Sequence, residues 1–384
     1  MAESPATTER TGGVPRWLRP ILVLGFLYLF LVGVKGLETG IKVFGVDAAE
    51  RIFGYVSSPV AGLFAGILAT VLVQSSSVTT STIVGLVGSG SLSVAAAVPM
   101  IMGANIGTTV TNTLASLGHV RRGAEFKRAF AGATVHDFFN VFAVVVFLPL
   151  ELATGFLSKS ATAVSSLLAG SDSVAAAAPG KSPIKAAIKA PVALIEGGLT
   201  DLGLHRGWVG SLLLALALGS IFVALVFVTR NMRVLMAGRM EAGFNAVLGR
   251  GAGLGAMILG VVVTVAVQSS SITTSILVPL LGAGVITLEN AYPVTLGANL
   301  GTTVTALLAS LAADRPEALT IALTHTLFNV FGILAFYPVP LVRRLPLRAA
   351  RALAEVATRR KQVVLAYLVA VFVVLPLVGI VVFR

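Results

Sequence analysis

Gln74-Ser75-Ser76-Ser77-Val78-Thr79-Thr80-Ser81 sets a run of carboxamide and hydroxyl groups in the middle of apolar sequence. The same pattern returns 194 positions on, from 74 to 268, as Gln268-Ser269-Ser270-Ser271-Ile272-Thr273-Thr274-Ser275. A carboxamide donates and accepts hydrogen bonds, a hydroxyl does both, and neither carries charge near neutral pH. Such groups can surround an oxyanion or a hard cation, which prefers oxygen ligands. They are poorly suited to catalysis, because no serine here has a paired base and the chain shows no nucleotide loop or metal-ligand cluster. An enzyme is therefore not expected. With no cysteine in the chain, thiol and disulfide chemistry is excluded.

Two further blocks are duplicated in the same order. Gly103-Ala104-Asn105-Ile106-Gly107-Thr108-Thr109-Val110-Thr111 recurs as Gly297-Ala298-Asn299-Leu300-Gly301-Thr302-Thr303-Val304-Thr305, again 194 positions on, with Pro99 matched by Pro293. His136-x-x-Phe139-Asn140-Val141-Phe142 recurs from His325 at a shift of 189. Three blocks in one order identify an internal repeat. A lone Ser/Thr cluster in a membrane helix is ordinarily packing and interhelical hydrogen bonding; its duplication, led by Gln in each copy, argues for a site. The glycines of the second block can serve close packing while its Asn and Thr coordinate.

The medium that holds these elements follows from composition. Of 384 residues, 56% are hydrophobic and 11% charged, against about 25% charged in a soluble domain. Runs at 20–34, 129–150, 207–229, 318–342 and 362–383 are near or above the roughly 20 apolar residues of a spanning helix. The net charge of +12 sits in short segments between those runs, the distribution that fixes membrane orientation; nucleic acid is not an expected partner. No small-x-small site follows Val34, so the first run reads as a retained span rather than a cleaved leader.

Charge then orients the repeat. Segment 37–51 carries Glu38, Asp47 and Glu50 against Lys42 and Arg51, and 119–128 carries Arg121, Arg122, Lys127 and Arg128 against Glu125. In the second copy the order reverses: Arg230, Arg233, Arg239 and Arg250 outweigh Glu241 before it, and Asp314 and Glu317 outweigh Arg315 after it. By the positive-inside bias the halves are inverted. About 15 apolar residues, Pro59 to Val73, precede the first Gln, too few to cross, so each polar motif reads as a broken helix or re-entrant hairpin at the bilayer midplane. The expected fold is an all-α polytopic membrane protein with two inverted-topology repeats. Its parts are a disordered cytoplasmic tail, 1–19; a first half, 20–150, with its repeat core at 52–150; and an outer linker, 151–205. A second half follows at 206–342, with its core at 246–342, then a basic inner segment, 343–361, and a last span, 362–384.

Between Gln74 and Leu117 there is no Lys, Arg, Asp or Glu, and between Gln268 and Leu311 only Glu289. A multiply charged anion held among neutral dipoles in low dielectric costs several kcal/mol per uncompensated charge. Cations travelling with it remove that cost, so the chemistry points to cation-coupled anion symport, Na+ first and H+ second. His136 and His325 begin apolar runs and read as interfacial or capping residues ahead of a proton relay. Asp137 is matched by Thr326 in the second copy, so a symmetric site cannot need it and it reads as local structure; Glu289 reads as a solvent-near hairpin edge.

The duplicated Gln-Ser-Ser-Ser and Gly-Ala-Asn-x-Gly-Thr-Thr blocks, with the stretch Glu125 to Asn140, resemble the type II sodium-dependent phosphate cotransporter family over most of 20–342. The resemblance implies sodium-driven uptake of inorganic phosphate. It assigns Gln74, Ser75, Ser76, Gln268, Ser269 and Ser270 to phosphate, and Ser77, Thr79, Asn105, Thr108, Ser271, Thr273, Asn299 and Thr302 to sodium. Na+ is the co-transported ion and no other cofactor is expected; phosphate, Na+ and membrane lipid are the partners, with self-association open. The chain lacks the large disulfide-bearing outer loop of animal members, which points to a bacterial cytoplasmic (inner) membrane with the N-terminus inside. Lacking the extra aspartate of electrogenic members, it is expected to move two Na+ per divalent phosphate without net charge. Rival readings are a symporter of sulfate or a dicarboxylate, and a phosphate sensor or scaffold.

Overall fold

The computed structural model describes residues 14–45, 58–169, 183–248 and 253–384. The readings made for residues 1–13, for Asp47, Glu50 and Arg51, for Arg250 and for the middle of the linker fall outside them. The described residues are helical almost throughout, without strands: α1 Arg19–Phe44, α2 Pro59–Val73, α3 Ser76–Ser89, α4 Val94–Gly107, α5 Val110–Ser116, α6 Gly123–Thr154, α7 Phe156–Ala169 and α8 Pro183–Asp201. The second part runs α9 Arg206–Leu248, α10 Leu254–Val267, α11 Ser270–Gly282, α12 Leu288–Ala312, α13 Glu317–Phe336, α14 Pro340–Arg359 and α15 Gln362–Phe383, the last with a π turn at Ala370–Val374. Among the described residues, seven helical stretches are long and apolar enough to cross a membrane. The linker expected at 151–205 contains two helices, α7 and α8.

The duplicated motifs become duplicated breaks. Ser58 caps α2, accepting from Ala61 N at 3.1 Å, with Pro59 following; a side-chain acceptor and a Pro at the first turn are the usual signals for a helix start. The helix stops at Gln74, whose φ of 57° is left-handed, and α10 stops at Gln268 with φ 56°. These are the only non-glycine residues with positive φ among the described residues. An L-residue adopts this conformation at a cost of roughly 1–2 kcal/mol. The chain then turns and restarts: Ser75 Oγ accepts from Val78 N at 3.3 Å, and Ser269 Oγ from Ile272 N at 3.4 Å. The break is thus narrower than eight residues, since Ser76 to Ser81 already belong to α3. At 1.5 Å per residue α2 is about 22 Å long, short of a hydrocarbon core about 30 Å thick.

Packing repeats with the same shift. Gly66 and Gly103 let α2 and α4 touch through their backbones, as Gly260 and Gly297 do for α10 and α12. Small residues at such crossings allow close approach where lipid gives no hydrophobic drive.

Charged groups sort to two ends of the bundle. At one, Lys35 Nζ lies 2.5 Å from Asp314 and 3.1 Å from Glu38, Lys42 pairs with Glu38 at 2.5 Å, and Lys185 donates to Ala313 O at 3.2 Å. At the other, Arg19 donates to Asn231 at 3.2 Å, Arg128 donates to Gly282 O, Lys127 pairs with Glu355 and Arg351 with Glu289. Segments whose charges predicted one side therefore touch one another, and those predicted for the opposite side do likewise.

Lys35 and Glu38 are nearly inaccessible, 4% and 1% exposed, so their pairing holds α1 to the turn between α12 and α13. Lys35→Met should lower stability toward the lower end of roughly 3–5 kcal/mol, the cost of breaking a buried pair, because Lys42 still holds Glu38. A thermal-shift comparison in detergent checks this. Partial burial pushes the Asp314 carboxyl up, but Lys35 beside it outweighs burial and leaves it below the usual carboxylate range. Its contribution is therefore complete above the unfolded carboxylate pKa of about 3.9 and disappears as pH falls through the lower folded value. Asp314→Asn should flatten that acid limb in a stability–pH profile.

Candidate functional site

The two breaks face one cavity of about 410 Å³. Gln74, Ser75, Ser76 and Ser77 line it from the first half and Gln268, Ser269, Ser270 and Ser271 from the second, with Thr229, Arg230 and Arg233 of α9 alongside. Ser75 and Ser269 cap α3 and α11, so two helix N-termini open on the cavity beside the C-terminal ends of α2 and α10. A helix N-terminus carries about half a positive charge and free N–H groups, and a C-terminus the opposite with free carbonyls. Each break thus offers anion-binding donors and cation-binding acceptors side by side.

The glutamines have a defined part in this geometry. Gln74 Nε2 donates to Val71 O at 2.6 Å and its Oε1 accepts from Thr111 Oγ1 at 3.2 Å. Gln268 repeats both, to Val265 O at 2.6 Å and from Thr305 Oγ1 at 2.9 Å. In this conformation their side chains hold the break together and the serines are the freer donors. Thr111 and Thr305 had no assigned role in the sequence reading, although both lie in the duplicated second block.

The residues matched to sodium by resemblance divide into four pairs. Ser77 and Ser271 line the cavity. Thr79 and Thr273 sit one turn inside their helices, donating to the carbonyls of Ser75 and Ser269 at 3.2 and 3.3 Å, and Thr264 also donates to Thr273 at 2.8 Å. Thr108 and Thr302 donate to Ala104 O and Ala298 O at 3.0 and 3.1 Å. Asn105 and Asn299 belong to a separate buried cluster that crosses between the halves. Asn299 donates to Asn140 Oδ1 at 2.9 Å and Asn329 Oδ1 at 2.8 Å, and Asn105 to Asn329 Oδ1 at 3.4 Å. Asn140 donates back to Asn105 O at 2.8 Å. The first-half Asn105 thus meets the second-half Asn329, and Asn299 meets Asn140, the reciprocal pattern that a two-fold axis produces. Asn140 and Asn329 were assigned no role from the sequence, although the third duplicated block carries both.

The histidines differ from their expected setting. His136 and His325 are 1% and 0% exposed, so neither is interfacial nor a helix cap: each lies within a long helix facing the bundle interior. His325 Nε2 is 3.0 Å from Asn105 Oδ1; since that oxygen only accepts, the ring nitrogen carries the proton. Asp137 accepts from Tyr367 Oη at 2.6 Å, fastening α15 to α6.

Arg230 and Arg233 were expected only as inner-side positive charge. They lie on the cavity rim, exposed, because α9 runs past the two breaks. Nothing in their local sequence marks them as site residues; only the path of the helix does.

A family model described as Na+/Pi-cotransporter matches residues 29–170 and 212–346. Sodium-dependent phosphate transport protein 2A of Ovis aries is 37% identical over 427 aligned residues, covering 94% of this chain and 67% of the relative. The Rattus norvegicus protein of that name is 37% identical, with the same coverage. Sodium-dependent phosphate transport protein 2B of Homo sapiens is 34% identical over 94% of this chain and 64% of its own length. No solved structure matches. With seven apolar helices of spanning length among the described residues and that match on both halves, the chain is a multi-pass membrane protein of the Na+/Pi-cotransporter family.

Proposed function

We propose that this chain is a secondary symporter that couples Na+ entry to uptake of inorganic phosphate. The observation that carries the reading is the convergence of both Gln-Ser-Ser-Ser breaks on one cavity, with two helix N-termini opening into it. Ser75, Ser76, Ser269 and Ser270 with the adjoining N–H groups bind phosphate, and Gln74 and Gln268 shape the breaks. Ser77, Thr79, Ser271 and Thr273 are the sodium candidates at the breaks; Asn105, Thr108, Asn299 and Thr302 are those on α4, its flank and α12.

Charge arithmetic explains the coupling. Two helix N-termini supply roughly one positive charge together, which leaves a divalent phosphate short of compensation in low dielectric. The two helix C-termini beside them carry a similar negative charge, so the dipoles cancel overall, and two Na+ balance the divalent anion and make the loaded site neutral, as electroneutral transport requires. Arg230 and Arg233 do not replace them, because exposed charge at a rim concentrates anions rather than neutralising one bound deeper.

The orientation follows from the two charged ends. α2 packs parallel to α4, and α3 ends at Gly90 beside Arg315, the acidic end; α10 packs parallel to α12, and α11 ends beside Arg128, the basic end. Read with positive-inside bias, the α2–α3 hairpin enters from outside and α10–α11 from inside, their tips meeting at the cavity. Arg230 and Arg233 then mark its cytoplasmic mouth, and the conformation is inward-facing. R230Q/R233Q should raise the apparent KM for phosphate applied on that side by roughly 3- to 10-fold, with a weaker salt dependence, since steering charges act on encounter.

Radiolabelled phosphate uptake into proteoliposomes tests the function: uptake should require an inward Na+ gradient and vanish with K+ or choline at fixed pH. Excess sulfate or succinate should leave it unchanged; strong competition would favour the other-oxyanion reading. A steady inward positive current during uptake would refute two Na+ per divalent phosphate.

A further inference from the structure

A second cavity of about 460 Å³ lies at the basic end of the bundle, away from the two breaks. Arg343, Arg344, Arg348 and Arg351 of α14 line it, with Glu289, Tyr292 and Tyr337. Four arginines against one carboxylate leave a surplus of three positive charges. Arg344, Arg348 and Arg351 follow at i, i+4 and i+7, one stripe of a helix, while Leu347, Ala350, Ala354 and Ala357 bury the adjoining stripe. Arg351 pairs with Glu289, and Arg343 stacks over the Tyr337 ring at 5.3 Å. Arg344 and Arg348 have no carboxylate partner among the described residues.

The deep wall adds an independent sign. Tyr292 is 1% exposed, and its hydroxyl has no hydrogen-bond partner among the described residues. Buried hydroxyls are nearly always satisfied, and this one lies on the wall that the arginines face. An acceptor-rich anion in the cavity would satisfy it while meeting guanidinium forks, whose planar donor geometry matches phosphate oxygens.

We propose that this pocket binds a phosphate group, independently of the cavity between the two breaks. The occupant is either free inorganic phosphate or the headgroup phosphate of an anionic lipid; both present the same oxygens, and α14 is amphipathic as a helix at a bilayer surface would be. The site would let the local phosphate or lipid composition set how firmly α14, which packs mainly on α6, is tied to the start of α12 through Arg351 and Glu289.

The test uses the full chain purified in an uncharged detergent as wild type, R344Q/R348Q, R344K/R348K and Y292F, each checked by elution volume and thermal midpoint. One arm measures equilibrium binding of radiolabelled inorganic phosphate in choline medium, where sodium-dependent binding is silent. The other delipidates the protein, offers phosphatidylglycerol or phosphatidylcholine, and counts retained lipids by native mass spectrometry. In one arm, R344Q/R348Q should weaken binding by at least about tenfold and Y292F by about threefold, with R344K/R348K between wild type and R344Q/R348Q. The first arm responding identifies free phosphate; the second, with phosphatidylglycerol preferred, identifies lipid. Equal binding of both probes by wild type, R344Q/R348Q and Y292F overturns the site, and if R344Q/R348Q aggregates, the single variants and Y292F decide in the same way. Sodium-driven uptake should stay within about twofold in all variants, as for sites too distant to couple, so failure of the transport reading is a separate outcome.

Discussion

Replacing Gln74 and Gln268 together by alanine should reduce sodium-driven phosphate uptake at least about 100-fold, the loss that a displacement of about 1 Å at a positioned site can cause. Each glutamine spans its break, tying the last carbonyls of α2 or α10 to Thr111 or Thr305. Alanine keeps the left-handed backbone demand, loses two hydrogen bonds of about 1 kcal/mol each, and leaves Ser75 and Ser269 on unanchored tips. Glycine separates shape from strain: Q74G/Q268G accepts the positive φ at no steric cost yet lacks the same bonds. It should therefore be more stable than the alanine pair and equally inactive. Initial rates in proteoliposomes, with insertion verified by protease accessibility, read both effects. Uptake within tenfold of wild type in the alanine pair would mean that the glutamines only pack.

The duplicated blocks made much of this architecture legible from the residues alone. Gln74 and Gln268 marked the breaks because an amide followed by three serines has no reason to interrupt lipid-facing helix unless it lines a polar space. Charge flanks grouped Lys42 with Asp314, and Lys127 with the basic 343–361 segment, and the members of each pair meet, because such groups must leave the apolar layer at one end or the other. His136 and His325 were misplaced because an apolar run on one side of a histidine does not reveal that a neighbouring helix covers the other. Arg230 and Arg233 were invisible as site residues for a related reason. Their distance in sequence from either motif is bridged by α9, and helix crossing angles cannot be read from one chain's periodicity. The Asn105–Asn329 and Asn299–Asn140 exchange was nearly in reach, since all four lie in duplicated blocks; what was missing was the knowledge that blocks from opposite halves meet.

Gly103→Ala and Gly297→Ala should each destabilise the folded protein by about 3 kcal/mol or more, the upper range for overpacking, and should do so equally. A Cβ at Gly103 would stand 1.9 Å from Leu63 O, and one at Gly297 1.9 Å from Met257 O. Neither contact is with a flexible side chain, so only separation of the helices can relieve it. Those helices are α2 against α4 and α10 against α12, each pair holding one of the two breaks. A methyl at either crossing therefore pushes a Gln-Ser-Ser-Ser tip as well as loosening the bundle, and uptake should fall further than the loss of folded protein explains. Gly118→Ala is the control, because nothing lies within 4 Å of its Cβ position and both readouts should hardly move. Fluorescence-detected elution and thermal midpoints give stability, and uptake per folded molecule gives function. Equality of the two glycine variants is the sharper demand: Met100 O stands 2.1 Å from a Cβ at Gly66 and Val294 O 2.2 Å from one at Gly260, so the crossings match contact for contact. A tolerant first half beside an intolerant second half would mean that one break carries the anion alone, and that the duplicated motif is ancestry without shared work.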